Sequence, residues 1–276
     1  MKRYWIHIIL IILLSACVKE ADWDVPEDGL KYIVVDGILT NEYKVQYIYL
    51  HNNKVNLNDV TLPLSGAEVI ISNEDEIYTL IEDPEEAGRY ITDTIVGARF
   101  SKNYSLLIYY HDRFYSAQAY MIPGETFPEL TYKKNDDNDL YHIDYVASSF
   151  EAEDPAMWEI QIDWSSVPGY EDRDPETCRK KLLFYTLPTL DVSQVFSPVV
   201  EQVNFPAGTK ILERRYALTS EHAAFVRTLL LETSWQGGVF PSDPANVTTN
   251  LSEGAIGFFG VCAVNSLSLT VTPKKN

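Results

Sequence analysis

Two stretches near the start of the folded part of the chain, KYIVVDGIL (31–39) and VQYIYLHN (45–52), are dense in β-branched and aromatic residues. They flank the polar segment TNEYK, so the pattern predicts two strands joined by a short connection. GAEVIIS (66–72) and EIYTLI (76–81) surround NEDE in the same way and predict a hairpin. GRYITDTI follows an acidic loop, and NYSLLIYYHDRFYSAQAYMI predicts two long strands turning near His111, Asp112 and Arg113. Short strands with turns at this spacing are the pattern of a β-sandwich, and residues 31–122 are expected to form an Ig-like one.

A breaker-rich stretch follows. PGETFPEL and the charged run KKNDDND mark a boundary or an exposed loop. Beyond it, MWEIQIDW alternates strictly. Trp158, Ile160, Ile162 and Trp164 fall on one face and Glu159, Gln161 and Asp163 on the other, which predicts a half-buried strand. KKLLFYTL and KILERRYALT are further strand candidates, and AIGFFGVCAVNSLSLTVTP is expected to end the chain as a hairpin or a bent pair turning near Asn265-Ser266. One segment breaks the β rhythm. TSEHAAFVRTLLLETSW offers Thr219 or Ser220 as N-cap and places Phe225, Leu229 and Leu230 at helical spacing, predicting a helix near 220–234 with its Phe225/Leu229 side on a sheet. The fold class expected is therefore mainly β: an N-terminal Ig-like β-sandwich over 31–122, then a second β-rich domain over 123–276 carrying one α-helix.

The first residues change the picture. Lys2 and Arg3 precede the apolar run YWIHIILIILL, which ends at Leu14. That run is too short for the ~20 apolar residues of a membrane-spanning helix and suits the core of a signal peptide over 1–16. Leu14-Ser15-Ala16-Cys17 resembles a bacterial lipobox, in which the cysteine is lipidated and becomes the first residue of the mature chain. Cys17 is thus expected to be a lipid anchor. Each acyl methylene buried in a bilayer adds ~0.8 kcal/mol, so several chains hold a protein firmly. Residues 17–30, with Glu20, Asp22, Asp24, Glu27 and Asp28, are too polar and too short to fold alone and form an acidic tether. Acidic residues soon after such a cysteine resemble the signal that exports Bacteroidota lipoproteins to the outer face of the outer membrane.

Charge narrows the partners. The 276-residue chain carries a net charge of −18, and removing the leader leaves 20 basic against 40 acidic residues. That balance suits a body held off an anionic membrane surface and is a poor match for nucleic acid, which is bound through Lys and Arg. With 46% hydrophobic residues the chain can bury a core. Apart from Cys17 there are two cysteines, Cys178 and Cys262. They allow a single disulfide pairing, while two separate buried thiols are an equally good reading.

Candidate chemistry is sparse. No His/Cys pair has zinc-ligand spacing, and no nucleophile elbow, phosphate loop or dinucleotide glycine pattern occurs. Neither a metal nor a cofactor is expected. His142 and Asp144 share one side of an expected strand, an arrangement that more often tunes a surface hydrogen bond than starts a reaction. The acidic clusters Asp136/Asp137/Asp139 and Glu171/Asp172/Asp174 lack the ordered spacing and glycine of a calcium loop. Tyr109, Tyr110, Phe114, Tyr115 and Tyr120 would make a sugar platform only if they faced outward, and alternation turns about half of them inward.

Several segments together resemble one family. The lipobox, VVDGILTNE, GAEVIISNEDE, GRY, FEAEDPAMWEIQI and GGVFPSDPANVTTNLSEGAIGFFGV are similar to a Bacteroidota lipoprotein family catalogued as a domain of unknown function, the 4249 family. The resemblance covers most of the mature chain. Cys178 falls near a position where many members carry a cysteine, whereas their usual partner cysteine has no counterpart in NVTTNLSEG. The resemblance implies an outer-membrane lipoprotein facing the cell exterior, often encoded beside TonB-dependent transporters and with no established enzymatic activity. The expected function is an accessory or substrate-presenting partner of such a transporter. A stand-alone glycan- or matrix-binding adhesin is the alternative.

Overall fold

Alternation in the first strand shows how the N-terminal half is built. In β1 (Ile33–Thr40), Ile33, Val35 and Leu39 are buried while Asp36 faces out. The same period runs through β2 (Tyr47–Asn52), β3 (Glu68–Ser72), β4 (Ile77–Glu82), β5 (Arg89–Thr92), β6 (Asn103–Tyr110) and β7 (Arg113–Tyr120). The turn between β6 and β7 holds His111 at a left-handed φ of 51°. All seven expected strands are present. The structure, a computed structural model, describes residues 32–54, 60–191, 194, 202–235 and 246–273. They lie within one unit from Lys31 to Asn276.

These strands form one eight-stranded sheet in the order β13-β1-β2-β5-β4-β3-β6-β7, in which β13 is Ala255–Cys262. The strand that completes the first sheet thus comes from the far end of the chain and pairs with β1 in parallel, Ile33 opposite Ala255 through Thr40 opposite Cys262. The end strands β7 and β13 also approach each other, rolling the sheet around a core that includes Tyr104, Leu106, Ile108 and Phe259. Asn250 fastens this closure. Its Nδ2 donates to the Gln118 carbonyl (2.9 Å) and the Phe259 carbonyl (2.8 Å), and its Oδ1 accepts from the Phe259 N–H (3.1 Å). The fold is mainly β with several sheets, and the strands before residue 122 lie in one eight-stranded sheet that β13 completes.

The second half holds a four-stranded sheet, order β11-β10-β12-β14, from β10 (Ala156–Asp163), β11 (Arg179–Thr186), β12 (Lys210–Ala217) and β14 (Val264–Thr270). A ribbon of β8 (Thr131–Lys134) and β9 (Tyr141–Tyr145) contributes to the same core through Tyr141 and the flanking Leu130 and Val146. Trp158, Ile160, Ile162 and Trp164 are buried as the alternation predicts.

The final segment is not a hairpin. β13 belongs to the first sheet and β14 to the second, so the chain bends at Ala263 and changes sheets there. Asn41 braces the bend, its Oδ1 accepting from the Val264 N–H (2.7 Å). With the rolled core on one side of β13 and a helix on the other, five consecutive residues from Phe258 to Cys262 are buried. That double burial explains the run GFFGVC, which shows no alternation.

One α-helix is present among the described residues, α1 (Ser220–Glu232). Thr219 caps it, its hydroxyl accepting from the His222 N–H (3.3 Å). The expected face is met in part, since Phe225 stacks on Phe258 of β13 with ring centres 4.8 Å apart. His222, Ala223, Val226, Leu230 and Leu231 are buried, whereas Leu229 is 39% exposed. The helix is turned so that the His222 ring lies on the β13 backbone, which Gly260 permits: a Cβ there would sit 2.6 Å from His222 Cε1.

Candidate functional site

The strand KILERRYA explains where polar chemistry gathers. In β12, Ile211, Glu213, Arg215 and Ala217 share the inner face, opposite Ile162, Ile160, Trp158 and Ala156 of β10. Two charged residues therefore occupy positions that burial would assign to aliphatic side chains. Glu213 is fully buried and Arg215 is 3% exposed.

Arg215 is held from two directions. Its Nη2 ion-pairs with Asp154 Oδ2 and donates to the Asp154 carbonyl (3.4 Å), and its guanidinium carbon lies 5.5 Å from the centre of the Trp158 ring. Nη1 is buried and has no hydrogen-bond partner. Trp158 is itself fixed. Its Nε1 donates to Thr186 Oγ1 (3.0 Å), that hydroxyl donates to the Ser148 carbonyl (2.7 Å), and Phe127 packs edge-on against the indole at 4.9 Å. These groups wall a cleft of about 230 Å³, with Tyr145 and Glu151 also in its lining. A second cavity of about 210 Å³ shares Ser148, Trp158 and Thr186 and extends to Trp235.

Glu213 lies farther along the same face. Its Oε2 accepts from the Leu130 N–H (3.1 Å), while Oε1 has no partner. Burial pushes its carboxyl up to about 7, with the nearby Glu129 carboxylate adding to the rise. The outer face of the sheet carries a network instead. Arg214 bonds Glu159 Oε1 (2.9 Å) and Glu42, and Lys181 bonds Glu159 Oε2 (2.9 Å). Despite their partial burial, both carboxyls are held below their usual range, Glu42 by Lys44 and Arg214 and Glu159 by Lys181, Gln161 and Arg214. This network joins the loop after β1 to the second sheet.

One further pair has the look of a nucleophile and its base. Cys262 Sγ lies 3.5 Å from His222 Nδ1. Burial drives the thiol up to about 12 and the imidazole down to about 4, so both are neutral at physiological pH. An activated thiol needs the opposite arrangement, a thiolate in an electropositive and accessible place. This pair is packing.

The residues singled out in the sequence are scattered. Cys17 lies outside the described residues. Cys178 and Cys262 are both buried free thiols, in different core clusters. His142 Nδ1 meets Asn135 Oδ1 (2.6 Å) and Asp144 pairs with Lys133 (2.7 Å), so each has its own partner. Asp139 pairs with Lys134, Asp174 caps the 3-10 turn Pro175–Cys178, and Glu171 accepts from the Gly169 N–H. No cluster of three metal-ligating side chains occurs among the described residues. Tyr115 is in the core, while Tyr109 and Phe114 face out as a pair with ring centres 5.0 Å apart. Arg215 and Glu213 were missed. The signal for them was the alternation of KILERRYA, which places a charge of each sign on the Ile211 face.

A family model described as "Domain of unknown function (DUF4249)" matches residues 18–268. That span is most of the chain, and the protein belongs to this family. No curated protein matches it.

Proposed function

We propose that the protein is a non-enzymatic lipoprotein, anchored through Cys17 on the outer face of the outer membrane, that holds a ligand and presents it to a TonB-dependent transporter. The observation that carries this reading is the cleft beside Arg215. It combines a fixed guanidinium, hydroxyls and aromatic walls, a set of groups suited to recognition. It contains no nucleophile paired with a base, and the Cys262–His222 pair is neutral and enclosed. The leader over 1–16, Cys17 directly after it and the acidic tether support the location, and the acidic body suits a place above an anionic membrane surface.

The test is a mild-detergent pull-down of the tagged full-length lipoprotein from native outer membranes, with co-purifying proteins identified. A TonB-dependent barrel recovered in near-stoichiometric amount is the expected result. Recovery of the lipoprotein alone at the same detergent and salt overturns a stable complex and favours the stand-alone adhesin.

A further inference from the structure

The cleft beside Arg215 has a composition that selects among ligands. We propose that it is a saccharide subsite, taking one neutral sugar ring against the aromatic wall with the ring hydroxyls on Arg215, Asp154 and Glu151. This deepens the ligand-presenting reading above and rests on it for its biological purpose, though not for its physical basis.

Three observations carry the assignment. First, Arg215 lines the cleft as a charged hydrogen-bond donor that Asp154 and the Trp158 ring hold in place. A planar guanidinium fixed in this way is pre-organised, so less rotamer freedom is lost for each hydrogen bond it forms with a ligand. Second, the charges lining the cleft are two carboxylates, Glu151 and Asp154, against one guanidinium already engaged by Asp154. A ligand carboxylate or phosphate would enter against a net negative cleft on a chain of net charge −18. A hydroxyl accepts from the guanidinium and donates to a carboxylate, so a diol matches both signs at once. Third, Phe127 and Tyr145 bring ring surface to the same cleft, and the aliphatic C–H face of a sugar is the part of a polyol that packs on such surface. The volume, about 230 Å³, is below the ~300–1,000 Å³ of sites for drug-sized ligands and suits a single ring.

The experiment uses the purified full mature chain in detergent. Isothermal titration reports occupancy directly, and the chain's tryptophan fluorescence, to which Trp158 in the cleft wall contributes, is followed beside it. The probes are free neutral hexoses, neutral oligosaccharides, and glucuronate as an acidic sugar. Saturable binding of a neutral sugar, with glucuronate at least tenfold weaker, is expected. Free hexoses and oligosaccharides binding equally well would identify a single-ring site, and oligosaccharides alone would identify the end unit of a chain; both support the subsite. Arg215→Lys keeps the charge but removes the planar fork and should weaken binding at least tenfold. Because that residue is buried, Tyr145→Ala and Glu151→Gln at exposed positions serve as independent variants, each expected to weaken binding about three- to tenfold with an unchanged melting temperature. The proposal is overturned if no neutral saccharide binds, if glucuronate binds more tightly, or if all three variants bind as the parent does. A crystal structure showing only ordered water in the cleft in saturating sugar would overturn it as well. Failure here together with a co-purifying barrel would reject the sugar and leave the transporter partnership in place.

Discussion

At the scale of single residues, close approach explains more than polarity does. His222 carries no charge that its surroundings can use. It is enclosed by Phe225 and Phe258, the latter stacked on it at 4.6 Å, and by the thiol of Cys262. Its ring lies where any side chain at position 260 would be. Gly260→Ala should therefore force the helix off β13 or push the imidazole out of place. Overpacking of a rigid core costs about 1–3 kcal/mol, and the flanking stacked rings leave little room for relief. Urea denaturation should show the midpoint falling with the slope unchanged. An equal midpoint would mean that the helix slides without cost. Arg215 is the opposite case, a residue whose charge matters because it is enclosed. Arg215→Ala would take the partner from Asp154 and open space beside Trp158; solvent can take up the charge of the part-exposed Asp154, so the pair itself contributes no more than about 1 kcal/mol and most of the loss should come from the cavity.

Among the elements, the sheets are joined by side chains that act as pieces of backbone. Asn250 meets β7 and β13 with its amide, satisfying groups that a further strand would otherwise pair. Asn250→Ala removes three hydrogen bonds at ~0.5–1.5 kcal/mol each, so a loss of about 2 kcal/mol is expected. Asn250→Asp keeps the acceptor for the Phe259 N–H but turns a carboxylate oxygen towards the Gln118 and Phe259 carbonyls, so its loss should be at least as large as that of the alanine variant. Amide hydrogen exchange at Phe259 would locate the effect: faster exchange in the variants than in the parent is expected, and equal exchange in all three would rule out the clasp. These contacts also show what the sequence could reveal. β1 to β7 and β10 were legible because each has one wet face and one dry face, which period 2 records directly. β13 was legible as a strand but not in its pairing, because its parallel partner lies more than two hundred residues away and both of its faces are covered. The face of α1 was legible only in part, Phe225 packing as expected and Leu229 not, because Phe225, Val226, Leu229, Leu230 and Leu231 spread apolar groups around the helix. The deciding contact, His222 over Gly260, leaves no periodic trace. The cleft was hidden for a related reason: Arg214 and Arg215 are neighbours in KILERRYA, yet one belongs to an outer ion-pair network and the other to the core.

For the molecule as a whole, two buried titratable groups act in opposite directions. His222 has its pKa lowered from 6.5 to about 4, so between those values the unfolded chain binds a proton that the folded chain refuses. Its contribution to stability is present above 6.5 and is lost as pH falls towards 4. Glu213 has its pKa raised from 4.5 to about 7, so the folded chain keeps a proton that the unfolded chain has released. Its contribution is present below 4.5 and is lost as pH rises to 7. Each is worth on the order of 2–3 kcal/mol, and their windows overlap, so together they nearly cancel between the two lower limits and the two upper ones. Glu213→Gln should uncouple them. Glutamine keeps the acceptor for the Leu130 N–H and cannot ionise, so the variant should gain on the parent by about 2–3 kcal/mol as pH rises from 4.5 to 7. The difference between the two stability curves isolates this group, because the other carboxylates, including the acid-sensitive Glu42 and Glu159, are common to both. Urea midpoints at half-unit pH intervals are the measurement. A difference that is flat across the window would show that Glu213 ionises in the folded state as readily as in the unfolded one, and the buried face of β12 would then hold a charge that it has, on the geometry, no partner to satisfy.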